Sequence, residues 1–274
     1  ARDICRDGRG HGGDEPPNNW ESVFGGPAWT RITEADGTPG QWYLHLFDSS
    51  QPDLDWTNEE VRAEFDRILR FWLDRGAGGF RVDVAHGLAK EEGLPDFTPD
   101  DTAGSMGGDD HAPTPYFGQE SVHEIWRRWR MVVEEFGPDR ILTAEAWVNP
   151  VERMALWTRP DEMHQAFNFA FLSAEWEPAA LREVIDRSLL AFGSVGAPST
   201  WVLSNHDVVR HASRLALTAE NPQGHGIGPD SPGLPIPELG LRRARAAWLL
   251  MLALRGSAYI YQGEALGLPE HVFI

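Results

Sequence analysis

Cysteine and lysine are almost absent from this chain of 274 residues. Cys5 is the one cysteine, which excludes an internal disulfide framework and a zinc site built from several thiolates. Basic side chains are scarce as well, since 24 Lys and Arg stand against 42 Asp and Glu, for a formal net charge of −18. A chain of that charge disfavours nucleic acid as a partner.

Long apolar runs are also missing. The run AWLLMLAL (247–254) follows the basic LRRAR and is far shorter than the roughly 20 residues that a spanning helix needs. We therefore expect no membrane partner and, because the fold does not depend on oxidation, a cytoplasmic protein. The sequence leaves the oligomeric state open.

Helix and strand patterns alternate along most of the chain. Residues 58–76 predict a helix with Asn58 as its N-cap and Gly76 as its stop, followed at once by a strand over 79–85. Residues 1–41, rich in Gly, Pro and Asn, predict a long irregular segment instead. The alternation continues with helices at 120–136, 178–192 and 238–254, and strands at 140–147, 165–171, 200–207 and 258–263. This order predicts a parallel α/β sheet or barrel.

One predicted strand carries two opposite charges. In GGFRVDVAHG (78–87), Arg81 and Asp83 lie two residues apart and therefore share one face of the strand. Burying charges is costly unless they are paired or used in chemistry. Taken alone, the pair fits a structural ion pair as well as a functional site.

Three of the predicted strands carry ionisable residues at or near their carboxyl ends: Asp83, Glu145, and the pair His206–Asp207. In a β/α barrel, catalytic residues lie at the carboxyl ends of the strands. Asp207 alone would also fit a helix N-cap, a role that Asn205 could take equally well. The coincidence at three strands favours a catalytic site.

The segments around these residues resemble the α-amylase superfamily, glycoside hydrolase family 13. GFRVDVAHG (79–87) is similar to its nucleophile motif, ILTAEAW (141–147) to its acid motif, and VLSNHD (202–207) to the motif of its third carboxylate. Further segments resemble the oligo-1,6-glucosidase and α-glucosidase branch: PPNNWESVFGGPAW (16–29), YLHLFDSSQPDLDW (43–56) and AYIYQGEALGL (258–268).

The resemblance implies a role for each matching residue. Asp83 corresponds to the nucleophile, and Arg81 to the arginine that contacts it and binds substrate. Glu145 corresponds to the general acid/base. Asp207 corresponds to the carboxylate that binds sugar hydroxyls and stabilises the transition state, and His206 to its hydrogen-bonding, substrate-binding neighbour.

The resemblance also implies the fold, an α/β (β/α)8 TIM barrel present here as about its fourth to eighth strands. Residues 1–43 would be the end of an inserted loop-rich domain and residues 44–274 the C-terminal part of the barrel. The family's Asn-His pair after the third strand has no match, so we expect a fragment.

The implied activity is that of a retaining α-glucosidase acting on small α-glucosides through a covalent glucosyl-enzyme. Such an enzyme needs one ionised carboxylate and one protonated carboxylic acid. Arg81 would keep Asp83 ionised, and the apolar neighbours of Glu145 would raise the pKa of its carboxyl. Two alternatives stay open: a transglycosylating relative of the sucrose isomerase or trehalose synthase type, and an inactive barrel serving as an interaction module.

No cofactor or metal is expected. The acidic GGDDH (107–111) lacks the ligand spacing of a calcium loop. His86 and His123 fit structural histidines better than catalytic ones. The side chains of Trp20, Trp29 and Trp42 would suit either a sugar-binding wall or the anchoring of a long loop.

Overall fold

A computed structural model describes residues 2–98, 114–218 and 226–272 of the chain. GGDDH lies outside the described residues. The chain forms two compact units, one of residues 1–150 with 161–163 and the other of residues 151–160 with 164–274. Among the described residues, no helix is both long and apolar enough to cross a membrane.

The first unit begins with a small antiparallel sheet. Strands β1 (Cys5–Arg6), β2 (Trp29–Thr33) and β3 (Pro39–Leu44) lie in the order β1-β3-β2. The prediction of an irregular segment over 1–41 is therefore wrong for these strands. The turn residues that suggested irregularity instead form the β2–β3 hairpin: Gly37 has a φ of 86°, and Asp36 Oδ1 accepts the N–H of Thr38 at 2.9 Å.

Helix α1 (Glu59–Leu73) begins where its N-cap was predicted. The Asn58 side chain accepts the N–H of Glu60 at 2.9 Å, which satisfies one of the unpaired donors of the first turn. Helix α2 (Val122–Glu134) packs against α1. Arg128 of α2 joins the two helices through ion pairs of 2.7 Å to Glu59 and to Asp66.

Two parallel strands carry the first candidate residues. Strand β4 (Gly79–Val82) pairs with β5 (Ile141–Ala144), from Gly79 opposite Ile141 to Val82 opposite Ala144. A Cβ on Gly79 would lie 2.1 Å from the Ile141 carbonyl oxygen, so only glycine allows this approach. Both strands are shorter than predicted, because the chain leaves the extended conformation at Val84 and after Glu145.

The second unit alternates short strands with helices. Strand β7 (Thr200–Val202) pairs in parallel with β8 (Ser257–Tyr259), from Thr200 opposite Ser257 to Val202 opposite Tyr259. A buried cluster that includes Trp201 and Met251 forms the core of this unit. Its elements are α3 (Val151–Ala155), β6 (Gln165–Ala166), α4 (Phe169–Ser173), α5 (Pro178–Ser194), β7 (Thr200–Val202), α6 (His211–Arg214), α7 (Pro237–Ala253) and β8 (Ser257–Tyr259).

All three strand predictions in this unit are too long, and the strand predicted over 258–263 is Ser257–Tyr259 in the structure. The strand predicted over 165–171 covers only Gln165–Ala166, because the Asn168 side chain accepts the N–H of Phe171 at 3.0 Å and begins helix α4. The strand predicted over 200–207 ends at Val202, so His206 and Asp207 lie in the loop that follows it.

Candidate active site

Asp83 lies one residue beyond β4 and is bound by Arg81. The guanidinium donates from Nη1 to Asp83 Oδ1 at 2.6 Å, as their shared face predicts. The side chains are not buried, since Arg81 is 38% and Asp83 68% exposed. The expectation of a charge pair inside a core strand is wrong, because the strand ends before Asp83 and opens the carboxylate to solvent.

A cavity of about 880 Å³ borders Asp83 within the first unit. Its lining includes five consecutive residues, Phe80 to Val84, although alternate side chains of a strand point to opposite faces. The cavity therefore lies along an edge of β4. Its other walls are mainly apolar, with aromatic rings from Trp56, Phe65, Trp72, Phe117 and Trp129.

Glu145 lies one residue beyond β5, at the position that corresponds to Asp83 on β4. It is buried, with 4% of its surface exposed, between the buried Ala144 and Ala146. Its Oε2 accepts the backbone N–H of Val84 at 2.8 Å. The structure thus brings both candidate carboxylates to the ends of neighbouring strands in one unit, one exposed and the other buried.

The backbone at Val84 is unusual. Its φ of 44° and ψ of 42° fall in the left-handed region, which a β-branched residue adopts rarely. The residues that follow, Ala85–Gly87, form a 3₁₀ turn. The sequence gives no signal for this conformation, since valine within an apolar run predicts a strand.

His206 and Asp207 lie together in the second unit. His206 Nε2 is 3.4 Å from Asp207 Oδ1, and both side chains are substantially exposed. Asp207 does not cap a helix, because Arg210 is the N-cap of α6. Asn205 instead holds the loop, since its Oδ1 accepts the N–H groups of Asp207 at 2.9 Å and Val208 at 3.1 Å.

A buried polar network supports this loop and has no counterpart in the sequence predictions. Ser204 Oγ accepts the N–H of His211 at 3.0 Å, and His211 Nδ1 lies 3.2 Å from Glu264 Oε1. Burial lowers the pKa of His211 to about 4 and that of Arg214 to about 10, and it raises the pKa of Glu264. Arg214 Nη1 also donates to the Leu172 carbonyl at 2.5 Å.

The three N-terminal tryptophans anchor loops. Trp20 donates to the Pro95 carbonyl at 2.8 Å, Trp29 to Asn18 Oδ1 at 2.7 Å, and Trp42 to the Gly13 carbonyl at 3.0 Å. Trp20 and Trp29 are buried. Of the two uses open to these residues, the contacts favour anchoring.

His86 and His123 are both buried, as expected of structural histidines. His123 Nδ1 lies 2.5 Å from Glu162 Oε2. The His86 ring packs on Phe117 with centroids 4.6 Å apart, and burial lowers its pKa to about 3. Across the described ranges, no group of three or more His, Cys, Asp and Glu side chains is arranged to hold a metal ion.

Several curated proteins are similar to this chain. An oligo-1,6-glucosidase of Bacillus sp. (strain F5) is 30% identical over 275 residues, which cover 93% of this chain and 47% of that protein. A probable alpha-glucosidase of Rhizobium meliloti (strain 1021) is 33% identical over 270 residues, covering 93% and 44%. The chain thus spans a little under half the length of these relatives.

Solved structures give the same result. An alpha-glucosyl transfer enzyme, XgtA, superposes with a TM-score of 0.76 at 30% identity, covering 98% of this chain and 46% of that one. The isomaltulose synthase of Erwinia rhapontici NX5 has a TM-score of 0.76 at 26% identity, covering 100% and 45%. The sequence pattern of the alpha-amylase catalytic domain matches residues 3–273. The chain therefore belongs to the alpha-amylase family, whose (β/α)8 barrel is the fold that the resemblance of its motifs implies.

Proposed function

We propose that the whole protein is a retaining α-glucosidase that releases glucose from short α-glucosides of the maltose or isomaltose type. The observation that carries the proposal is the placement of Asp83 and Glu145 at corresponding positions beyond two paired parallel strands. Neighbouring strands lie about 4.8 Å apart, so side chains at paired strand ends can reach a common space, as the two carboxyl groups of a retaining glycosidase must at a separation of roughly 5–5.5 Å.

Asp83 is the proposed nucleophile. Its exposed carboxylate is accessible to a sugar, and the Arg81 guanidinium at 2.6 Å orients it. In the first step Asp83 forms a bond to the anomeric carbon while the glycosidic bond breaks. The product of this step is a covalent glucosyl-enzyme.

Glu145 is the proposed acid and base. Its buried carboxyl would pass a proton to the departing glycosidic oxygen in the first step. In the second step it would take a proton from the water that attacks the anomeric carbon, and the bond to Asp83 breaks. Both groups return to their starting protonation state, so the two steps balance.

Asp207 and His206 are proposed to bind sugar hydroxyls. The family resemblance supports these roles, and so does the exposure of both side chains on one loop. The buried polar network beneath this loop would hold the loop in position, because Ser204 and His211 are buried and hydrogen-bonded to each other. A cytoplasmic location remains part of the proposal.

Transglycosylation is the second candidate function. An alpha-glucosyl transfer enzyme and an isomaltulose synthase are among the structural relatives, and such an enzyme would use the same two carboxylates on a sugar acceptor instead of water. The two candidate functions differ in whether water or a sugar accepts the glucosyl group, and the residues of the first step do not determine this.

Product analysis of the whole protein with maltose, isomaltose and sucrose tests both candidates. We expect free glucose, released first as the α-anomer in a proton NMR time course. Rearranged disaccharides from sucrose would favour the second candidate. Release of β-glucose, or no turnover of any of the three sugars, would contradict both. The Asp83→Asn protein is the matched control for contaminating activity.

A further inference from the structure

The end of strand β4 contains one residue more than its ladder with β5 can pair. In a regular parallel ladder, the N–H of Glu145 bonds to the Val82 carbonyl and the Glu145 carbonyl accepts the N–H of Val84. The first bond is present at 2.9 Å, but the Glu145 carbonyl accepts the N–H of Ala85 instead, at 2.8 Å. Val84 is therefore the extra residue of a bulge.

The bulge redirects one donor. The N–H of Val84, released from the ladder, donates to Glu145 Oε2 at 2.8 Å. The left-handed backbone of Val84 makes this possible, because an extended residue there would continue the ladder. A strained conformation at a β-branched residue, next to two candidate catalytic carboxylates, is the kind that functional sites retain.

We infer that Val84 is a positioning residue, whose N–H binds Oε2 of Glu145 and leaves Oε1 to carry the proton that is passed to the glycosidic oxygen. This inference rests on the proposed role of Glu145. An N–H group bonds more favourably to a carboxyl oxygen without a proton than to one that carries a proton. The bond from Val84 therefore assigns different tasks to the two oxygens of Glu145. It also stabilises the carboxylate that remains once the proton has left.

Ester substitution at residue 84 of the whole protein tests the inference. Incorporation of the α-hydroxy acid of valine replaces this N–H by oxygen and keeps the side chain. The matched control is an ester at residue 85, made with the α-hydroxy acid of alanine. It removes the Ala85 N–H, which bonds to Glu145 at the same distance but to the backbone carbonyl. If the bulge had only a structural role, both esters would have the same effect.

We expect the residue 84 ester to move the alkaline limb of kcat/KM upward by about one pH unit, since an acid without this donor stays protonated to higher pH. We also expect kcat on maltose to fall about tenfold or more, with a smaller loss on an activated aryl glucoside. The control should leave the limb in place. Equal shifts from both esters, or no shift from either, would overturn the inference.

Proton NMR gives a second measurement without backbone chemistry. In the whole protein labelled with ¹⁵N-valine, the Val84 amide proton should titrate with an ionisation that is lost in Glu145→Gln. A flat Val84 signal would overturn the inference even if the esters fail to fold. If the signal titrates but Glu145→Gln leaves maltose turnover intact, the contact stands and the proposed function of Glu145 fails.

Discussion

The Arg81 guanidinium meets the Asp83 carboxylate at 2.6 Å just beyond the end of a strand, where both side chains are open to water. An exposed pair of this kind contributes little to the stability of a fold. Its effect falls on the orientation of the carboxylate, which the guanidinium holds at hydrogen-bonding distance. The pair is therefore better understood through the chemistry of Asp83 than through the packing of β4.

Asp83→Ala tests the nucleophile. In the whole protein we expect turnover of an aryl α-glucoside to fall by about 10⁴-fold or more, because the covalent step is lost. Azide should restore part of the rate and yield the β-configured glucosyl azide, since the anion attacks directly from the face that Asp83 occupied. Asp139→Ala, at an exposed loop position, is the control and should keep its rate. A product of α-configuration with azide would remove Asp83 from this role.

Glu145→Gln tests the acid. We expect a loss of about 10²–10⁴-fold on maltose, whose leaving group needs a proton, and a much smaller loss on an activated aryl glucoside. Rates with a series of aryl leaving groups measure this dependence. Equal losses on all substrates would show that Glu145 supports the site in another way.

The sequence predicts the regular parts of this structure better than the irregular ones. Helix α1 and its Asn58 cap follow from side-chain patterns, which report local preferences directly. The bulge at Val84 does not, because it depends on how two strands pair, and valine locally favours extension. Asp83 and Glu145 were predictable as strand-end acids, whereas the contact between Val84 and Glu145 required the register of β4 on β5.

Val84→Thr tests linkage preference. The resemblance implies that valine directly after the nucleophile goes with cleavage of α-1,6 bonds, so we expect the ratio of isomaltose to maltose hydrolysis to fall in the variant. Threonine is β-branched and has nearly the shape of valine, so both residues adopt the backbone conformation at this position about equally well. The measurement is kcat/KM on each disaccharide. An unchanged ratio would mean that the valine side chain does not set the linkage preference.

His86→Phe tests whether the burial of His86 makes the stability of the fold depend on pH. Burial, with the charge of Lys90 nearby, lowers the pKa of His86 from 6.5 to about 3. As pH falls below 6.5, the unfolded chain therefore binds a proton at His86 while the folded chain does not. The free energy of unfolding drops by about 2–3 kcal/mol between pH 7 and 4.5. We expect thermal melts of the His86→Phe protein to fall less over this range than those of the parent.

His11→Gln is the control for this series, because His11 is exposed. Its melting temperature should follow the parent at every pH. Parallel curves for the parent and His86→Phe would show that His86 is not held neutral by the fold.

Residues 1–274 expressed on their own are expected to be inactive and poorly soluble. In the described residues, β4 has a ladder partner only on the β5 side, and β8 pairs only with β7. Unpaired strand edges favour association between chains. Large apolar side chains are also exposed on the helices next to these strands: Ile68, Phe71 and Trp72 on α1, and Leu249 and Leu252 on α7.

Size-exclusion chromatography and an aryl α-glucoside assay, run beside the whole protein, measure both properties of this segment. Phe71→Glu and Leu249→Glu should raise its solubility without bringing back activity, because charges on exposed apolar positions oppose association but supply no strand partner. A monomeric segment that melts cooperatively and matches the activity of the whole protein would mean that these edges are stable as they stand.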